Sequence, residues 1–188
     1  MDALLSAFVA AGLAEWGDKT QLLVVALAVR YGRPAPILAG ITLAALIHAL
    51  IAAVGGVLVH DFVTIRALSL LVGLSLLFAG IAGLAARKTP RILVPERYGP
   101  FLAAFVCFFI AEFGDKTQFL TFSISARFES FLLAAIGATA GVLAASVPAA
   151  VLGDGLARIV PLRGIRLGAA ILFLLLACIV AVNAWRLV

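Results

Sequence analysis

The sequence predicts an all-α membrane protein of six transmembrane helices, arranged as two inverted-topology three-helix repeats. Three observations carry this prediction. Of the 188 residues, 65% are hydrophobic and only 12% are charged, with a mean hydropathy of +1.23. A water-soluble chain of this length needs a polar exterior, which this composition cannot supply. Six stretches reach the roughly 20 apolar residues that a membrane helix requires, and an eight-residue motif occurs twice, 97 residues apart.

The expected spans are 4–29, 35–59, 66–86, 100–126, 130–152 and 166–187. Breakers and charges separate them: Arg30 to Pro34, His60-Asp61, residues 87–100, Arg127 to Glu129, and residues 154–166. Runs such as 165–182 are too long and too evenly apolar for the alternating strands of a β-barrel. No basic leader with a cleavage site follows Met1, so the first apolar stretch is expected to stay as a span, not to act as a signal peptide. Cys107 and Cys178 lie far apart in apolar stretches, where membrane packing is expected in place of a disulfide or a thiolate metal site.

A net charge of +5 and a pI near 9.9 raise the question of nucleic acid. The basic residues argue against it, because they sit in short connections and form no patch interleaved with aromatics. They read as orientation signals. Connections 1–2, 3–4 and 5–6 carry nine of them, including Arg30, Arg33, Arg87, Arg158 and Arg166, while the opposite side carries Arg66, Arg127 and Arg186. This asymmetry places both termini on the non-cytoplasmic side of a cytoplasmic membrane.

The repeat covers more than the motif. Ala14 to Gln21 and Ala111 to Gln118 match at seven of eight positions, and Arg30/Arg127, Gly40/Gly137, Thr42/Thr139 and Gly56/Gly153 match at the same 97-residue offset. The chain divides into a first three-helix repeat over 1–90, a basic cytoplasmic connection over 91–99, and a second repeat over 100–188, which together form one transport domain. Three spans per half is an odd number, so the halves enter the membrane in opposite directions, with a site expected where they meet.

Both motifs read Glu-x-Gly-Asp-Lys-Thr-Gln, and each is expected mid-helix near the centre of the hydrocarbon. A charge there costs about 2.5–3.5 kcal/mol on insertion scales, so Glu15, Asp18, Lys19, Glu112, Asp115 and Lys116 face one another or a wet cavity and not lipid. On a continuous helix Asp18 and Lys19 flank Glu15, with Gln21 on the same face. Thr20 points away unless Gly17 loosens the helix, and Thr117 and Gly114 stand in the same relation. The expected metal ligands are Glu15, Asp18, Gln21, Glu112, Asp115 and Gln118. Lys19, Thr20, Lys116 and Thr117 line the site or balance its charge. Four carboxylates and two ammonium groups leave a charge of −2, which one divalent cation neutralises. Hard oxygen donors suit Mn²⁺, Ca²⁺ or Mg²⁺ better than Cu⁺ or Zn²⁺. The metal is then cargo, no tightly bound cofactor is expected, and proton uptake by the excess carboxylates on metal release makes protons the counter-substrate.

Glu15–Lys19 and Glu112–Lys116 stand at i,i+4, and either pair alone would read as a static salt bridge. Two copies at matched depth favour a shared site, because buried ion pairs are poor stabilisers against apolar packing. The twin motifs on the first and fourth of six helices resemble the Gdt-type family of cation transporters, which includes bacterial manganese exporters and a Golgi manganese/calcium transporter. The resemblance spans nearly the whole chain and implies exchange of Mn²⁺, with Ca²⁺ as a second candidate, for protons. It carries functional roles to Glu15, Gly17, Asp18, Lys19 and Thr20 and to Glu112, Gly114, Asp115, Lys116 and Thr117. Eukaryotic relatives have a longer acidic central loop. The short basic connection here departs from that pattern and fits a bacterial member.

His48, mid-span in the second helix, is a candidate proton relay or metal ligand, or else a hydrogen-bonded or lumen-facing bystander; its repeat partner is Ala145,. Trp16 and Phe113 share a motif position suited to packing or to gating. Gly137 and Gly141 have the small-xxx-small spacing of close helix contacts, and Pro148 marks a kink or a hinge. Competing readings are an exporter of amino acids or other small organic solutes, with a lysine as counter-charge, an intramembrane phosphatase, and a purely structural bundle. The phosphatase lacks the basic and hydroxyl cluster that phosphate chemistry needs, so the chain is not expected to be an enzyme.

Overall fold

A computed structural model of the chain describes residues 1–86 and 88–185. Arg87 and Arg186, both counted in the charge asymmetry, lie outside the described residues. Every regular element among the described residues is helical. In order these are α1 (Asp2–Glu15), α2 (Lys19–Tyr31), α3 (Pro34–His60), α4 (Ile65–Leu84), α5 (Gly99–Glu112), α6 (Lys116–Phe128), α7 (Phe131–Leu152), α8 (Leu156–Ile159) and α9 (Leu162–Trp185), with 3-10 turns at Glu96–Tyr98 and Gly153–Gly155.

Local chemistry sets several of these boundaries. Gly32 ends α2 in the left-handed region and donates its N–H to the Ala28 carbonyl at 2.8 Å, after which Pro34 opens α3,. Thr64 caps α4 by accepting from the Ala67 N–H,. Pro148 does not divide α7, which runs on to Leu152.

The expected spans need correcting at two places. The stretches 4–29 and 100–126 are not continuous helices. Each is broken inside its motif, into α1 and α2 and into α5 and α6. Four helices, α3, α4, α7 (with its extension to Ile159) and α9, are long and apolar enough to cross a membrane, or five if the pair ending at Glu112 and Phe128, bent by 70°, is one span. The halves of a broken span are 13 or 14 residues long, about 20 Å each and short of a roughly 30 Å core. The last span also begins four residues earlier than expected, at Leu162.

Packing follows residue size. The buried face of α1 consists of Ala3, Ala7, Ala10, Ala11 and Ala14, whereas Leu5, Phe8 and Val9 point outward. Small residues let helix backbones meet, and large apolar ones face what surrounds the bundle. α1 packs on α7, α5 on α3, and α4 on α9. The first two contacts are built alike. A Cβ on Gly40 would lie 2.5 Å from the Phe101 carbonyl oxygen, and one on Gly137 would lie 2.2 Å from that of Leu4. Both glycines and both carbonyls are 97 residues apart. Gly40→Ala and Gly137→Ala are each expected to destabilise the protein by about 1–3 kcal/mol through overpacking. The measurement is thermal unfolding in detergent, with Gly168→Ala, which meets nothing within 4 Å, as a control that leaves stability unchanged or improved.

Candidate cation site

The motif dictates its own break. α1 ends at Glu15, Trp16 is extended, Gly17 has φ +71°, and Asp18 (φ −85°, ψ 171°) starts α2. The second copy repeats these angles, with Gly114 at φ +69° and Asp115 at φ −84°, ψ 170°. Only glycine takes the left-handed turn without strain. Aspartate suits the residue before a helix, yet neither aspartate uses its side chain as a cap. Glutamine stitches the loop instead. Gln21 Oε1 accepts from the Gly17 N–H at 2.8 Å, and Gln118 Oε1 accepts from the Gly114 N–H at 2.7 Å. A reach back from the third helical position resembles a capping box.

The two loops come together. Glu15, Asp18, Glu112 and Asp115 each bring one carboxylate oxygen to within 4.8 Å of the others. Each lysine reaches an aspartate of the other motif. Lys116 binds Asp18 and also lies 3.3 Å from Asp115, while Lys19 lies 3.2 Å from Asp115. The i,i+4 pairs Glu15–Lys19 and Glu112–Lys116, weighed as static salt bridges, give way to crossed contacts. The broken helix removes the continuous 100° progression on which those pairs depended. It also brings the threonines inward: Thr20 and Thr117 both donate to Glu15, the latter at 2.6 Å. A continuous helical wheel points them away, and in the sequence their place at the site is conditional on a loosened helix. The signal that finds it is the glycine at the third motif position.

The halves differ in their surroundings. Glu15 holds two hydroxyl donors, whereas Oε1 of Glu112, a residue 3% exposed, has no hydrogen-bond partner among the described residues. Glu112 lines a chamber of about 20 Å³ with His48, Thr117, Gln118 and Thr121, room for about one water. Asp115, Gly114 and Gln118 border a cleft of about 440 Å³ that reaches the second loop between α3, α4 and α6. Gly17 is covered: a Cβ there would lie 2.4 Å from the Leu162 carbonyl oxygen and 3.0 Å from Arg166 Cβ, while one on Gly114 would meet nothing within 4 Å. The repeat offered no hint of this cover, since the position matching Arg166 is Ser69.

The remaining candidates fall as follows. His48 is buried, with Nε2 2.9 Å from the Phe109 carbonyl oxygen and Nδ1 bound to Gln118. Gln21 donates its amide N–H to the Ala145 carbonyl at 2.8 Å. Both glutamines thus use their oxygen and nitrogen within the scaffold. Trp16 is half-buried, whereas Phe113 is 74% exposed and lies edge-on to the His48 ring at 6.2 Å.

A family model described as divalent cation/proton antiporter GDT1 matches residues 3–91 and 100–187. The chain belongs to that family. A protein of Vibrio cholerae serotype O1 named "Putative manganese exporter" is 40% identical over 187 residues, covering 94% of this chain and 89% of that one. No solved structure matches. As a member of the divalent cation/proton antiporter family, the chain is a multi-pass membrane protein for cation transport, with divalent cations and protons as its substrates. The family match omits residues 92–99, within the basic connection.

The two lysines of this antiporter differ in burial, with side chains 2% exposed at Lys116 and 29% exposed at Lys19. Lys116→Met removes the buried ammonium facing Asp18 and is expected to cost about 3–5 kcal/mol, as for other broken buried pairs. Lys19→Met is expected to cost less than about 1 kcal/mol, as for partly exposed pairs. Thermal unfolding of the two purified variants checks the order, and a reversed order contradicts the crossed pairing.

Proposed function

We propose that the chain exchanges Mn²⁺ for protons across the cytoplasmic membrane of a bacterium and exports the metal, with Ca²⁺ as a second candidate substrate. One observation carries this reading. Two carboxylates from each motif place an oxygen apiece within 4.8 Å of one another, the convergence that a hard divalent cation needs. Glu15, Asp18, Glu112 and Asp115 are the ligands of this site. Oε1 of Glu112, which has no hydrogen-bond partner among the described residues, is a donor left for an arriving ion.

In this reading the six spans are α1–α2, α3, α4, α5–α6, α7 and α9, as two inverted repeats with both termini on the non-cytoplasmic side. Second-half helices α5, α6, α7 and α9 start 97 residues after α1, α2, α3 and α4, which supports the repeat. α1 and α5, at 14 residues each, reach about 21 Å into a core of roughly 30 Å. Loops entering from opposite faces then overlap near the middle.

The crossed lysines set the exchange. An arriving divalent ion competes with the Lys19 and Lys116 ammonium groups for Asp115 and Asp18, and with protons for all four carboxylates. Metal and protons neutralise the same charge, so occupancy by one disfavours the other, which is the physical content of antiport. The name of the Vibrio cholerae relative supports manganese as the metal.

Proteoliposomes holding the purified protein are expected to take up Mn²⁺ only under an imposed pH gradient, at a higher rate than Ca²⁺. Glu15→Gln, Glu112→Gln and Asp115→Asn are each expected to abolish this flux while the protein still inserts and purifies. Wild-type rates in any of them would rule out a shared four-carboxylate site.

A further inference from the structure

We infer that His48 is a positioning residue for the second motif loop, taking the place that a backbone carbonyl holds for the first. In the first half the chain of donors runs from the Gly17 N–H to Gln21 Oε1 and from Gln21 Nε2 to the carbonyl of Ala145 on α7. In the second half it runs from the Gly114 N–H to Gln118 Oε1 and from Gln118 Nε2 to Nδ1 of His48 on α3. Gln21 and Gln118 are 97 residues apart, and so are His48 and Ala145. Each glutamine therefore ends on the equivalent position of the opposite half. The acceptor is main chain in one case and imidazole in the other.

The protonation pattern follows from the partners. The Phe109 carbonyl oxygen, 2.9 Å from His48 Nε2, can only accept, so Nε2 carries the hydrogen and Nδ1 presents a lone pair. That lone pair takes the amide N–H of Gln118 and turns the amide oxygen of Gln118 toward the Gly114 N–H. The bonds thus run in one direction, from Gly114 through Gln118 and His48 to Phe109, and leave no member unsatisfied. The ring is also clamped, with its centroid 4.2 Å from the Phe109 ring in a stacked arrangement and the residue 4% exposed.

The second loop depends on this strut more than the first depends on Ala145. Leu162 and Arg166 press on Gly17, whereas a Cβ on Gly114 would meet nothing within 4 Å. Gly114 lies between Glu112 and Asp115, two of the four converging carboxylates. Loss of the strut therefore loosens the part of the site least supported by packing. The link to transport rests on the shared-site reading above; the positioning role does not.

Two amide replacements separate the two bonds of the imidazole. Asn places an acceptor near the Nδ1 position and keeps the bond to Gln118. Gln places a donor near the Nε2 position and keeps only the bond to Phe109. Hydrogen exchange of the segment 113–118 in detergent reads the loop directly. His48→Gln and His48→Leu are expected to speed its exchange at least about fivefold, as for loss of one buried hydrogen bond, and His48→Asn to leave it near wild type. In Mn²⁺ flux, Gln and Leu are expected to raise KM about tenfold or more, as for loss of a group orienting a metal ligand, with Vmax little changed and Asn close to wild type. Equal loss in Asn and Gln, rescue by Gln alone, or no change in loop exchange with any variant would overturn the inference. The expected exchange pattern in a wild-type protein that carries no Mn²⁺ would instead sink the shared-site reading and leave the strut standing.

Discussion

Six ionisable side chains from two motifs occupy one neighbourhood inside an apolar bundle, and the rest of the structure is arranged around keeping them satisfied. Each would cost several kcal/mol alone in hydrocarbon, so each must meet opposite charge or a hydrogen-bond donor. Two continuous helices cannot do this, because their wheels would turn the threonines away and pair each lysine with its own glutamate. Breaking both helices at a glycine frees the four residues that follow. Lys116 can then reach Asp18, Lys19 can reach Asp115, and two threonines from different halves can meet on Glu15. The glutamines hold the freed backbone in shape.

Near-identical loops end up in different surroundings, and the difference is one of cover. The first loop lies against the start of α9, with Glu15 fully hydrogen-bonded and Lys116 buried against Asp18. The second borders a cleft, with Phe113 exposed, Asp115 partly so, and one Glu112 oxygen without a partner among the described residues.

Close packing makes the convergence possible. Gly40 and Gly137 let α3 and α7 touch the backbones of α5 and α1, so that the first helix of each half rests on the long helix of the other. The broken helices are thereby gripped from the opposite half, and their ends are aimed at a common centre. Alanines line the face of α1 that meets α7, and leucine, isoleucine and phenylalanine are common among the exposed residues, an arrangement suited to a lipid surrounding,.

The helical class, the positions of the long helices and the residues of the cluster were legible in the sequence, because each rests on composition or on local spacing. Apolar runs bound α3, α4, α7 and α9 to within a few residues, and the cost of buried charge alone was enough to bring Glu15, Asp18, Glu112 and Asp115 together. The twin motif likewise pointed to the family. What the linear pattern did not convey was the break itself: Gly17 was legible as a weak point, but the φ of +71° that ends α1 depends on Gln21 and Ala145 holding the turn. Pairing across the motifs, the bond from Thr117 to Glu15, the capture of both glutamine amides by the scaffold, and the cover of Gly17 by Leu162 and Arg166 are likewise contacts between residues distant in the chain. Only the tertiary structure decided them, because a side chain's partner in a bundle is set by which helices meet and at what depth, and no local period encodes that.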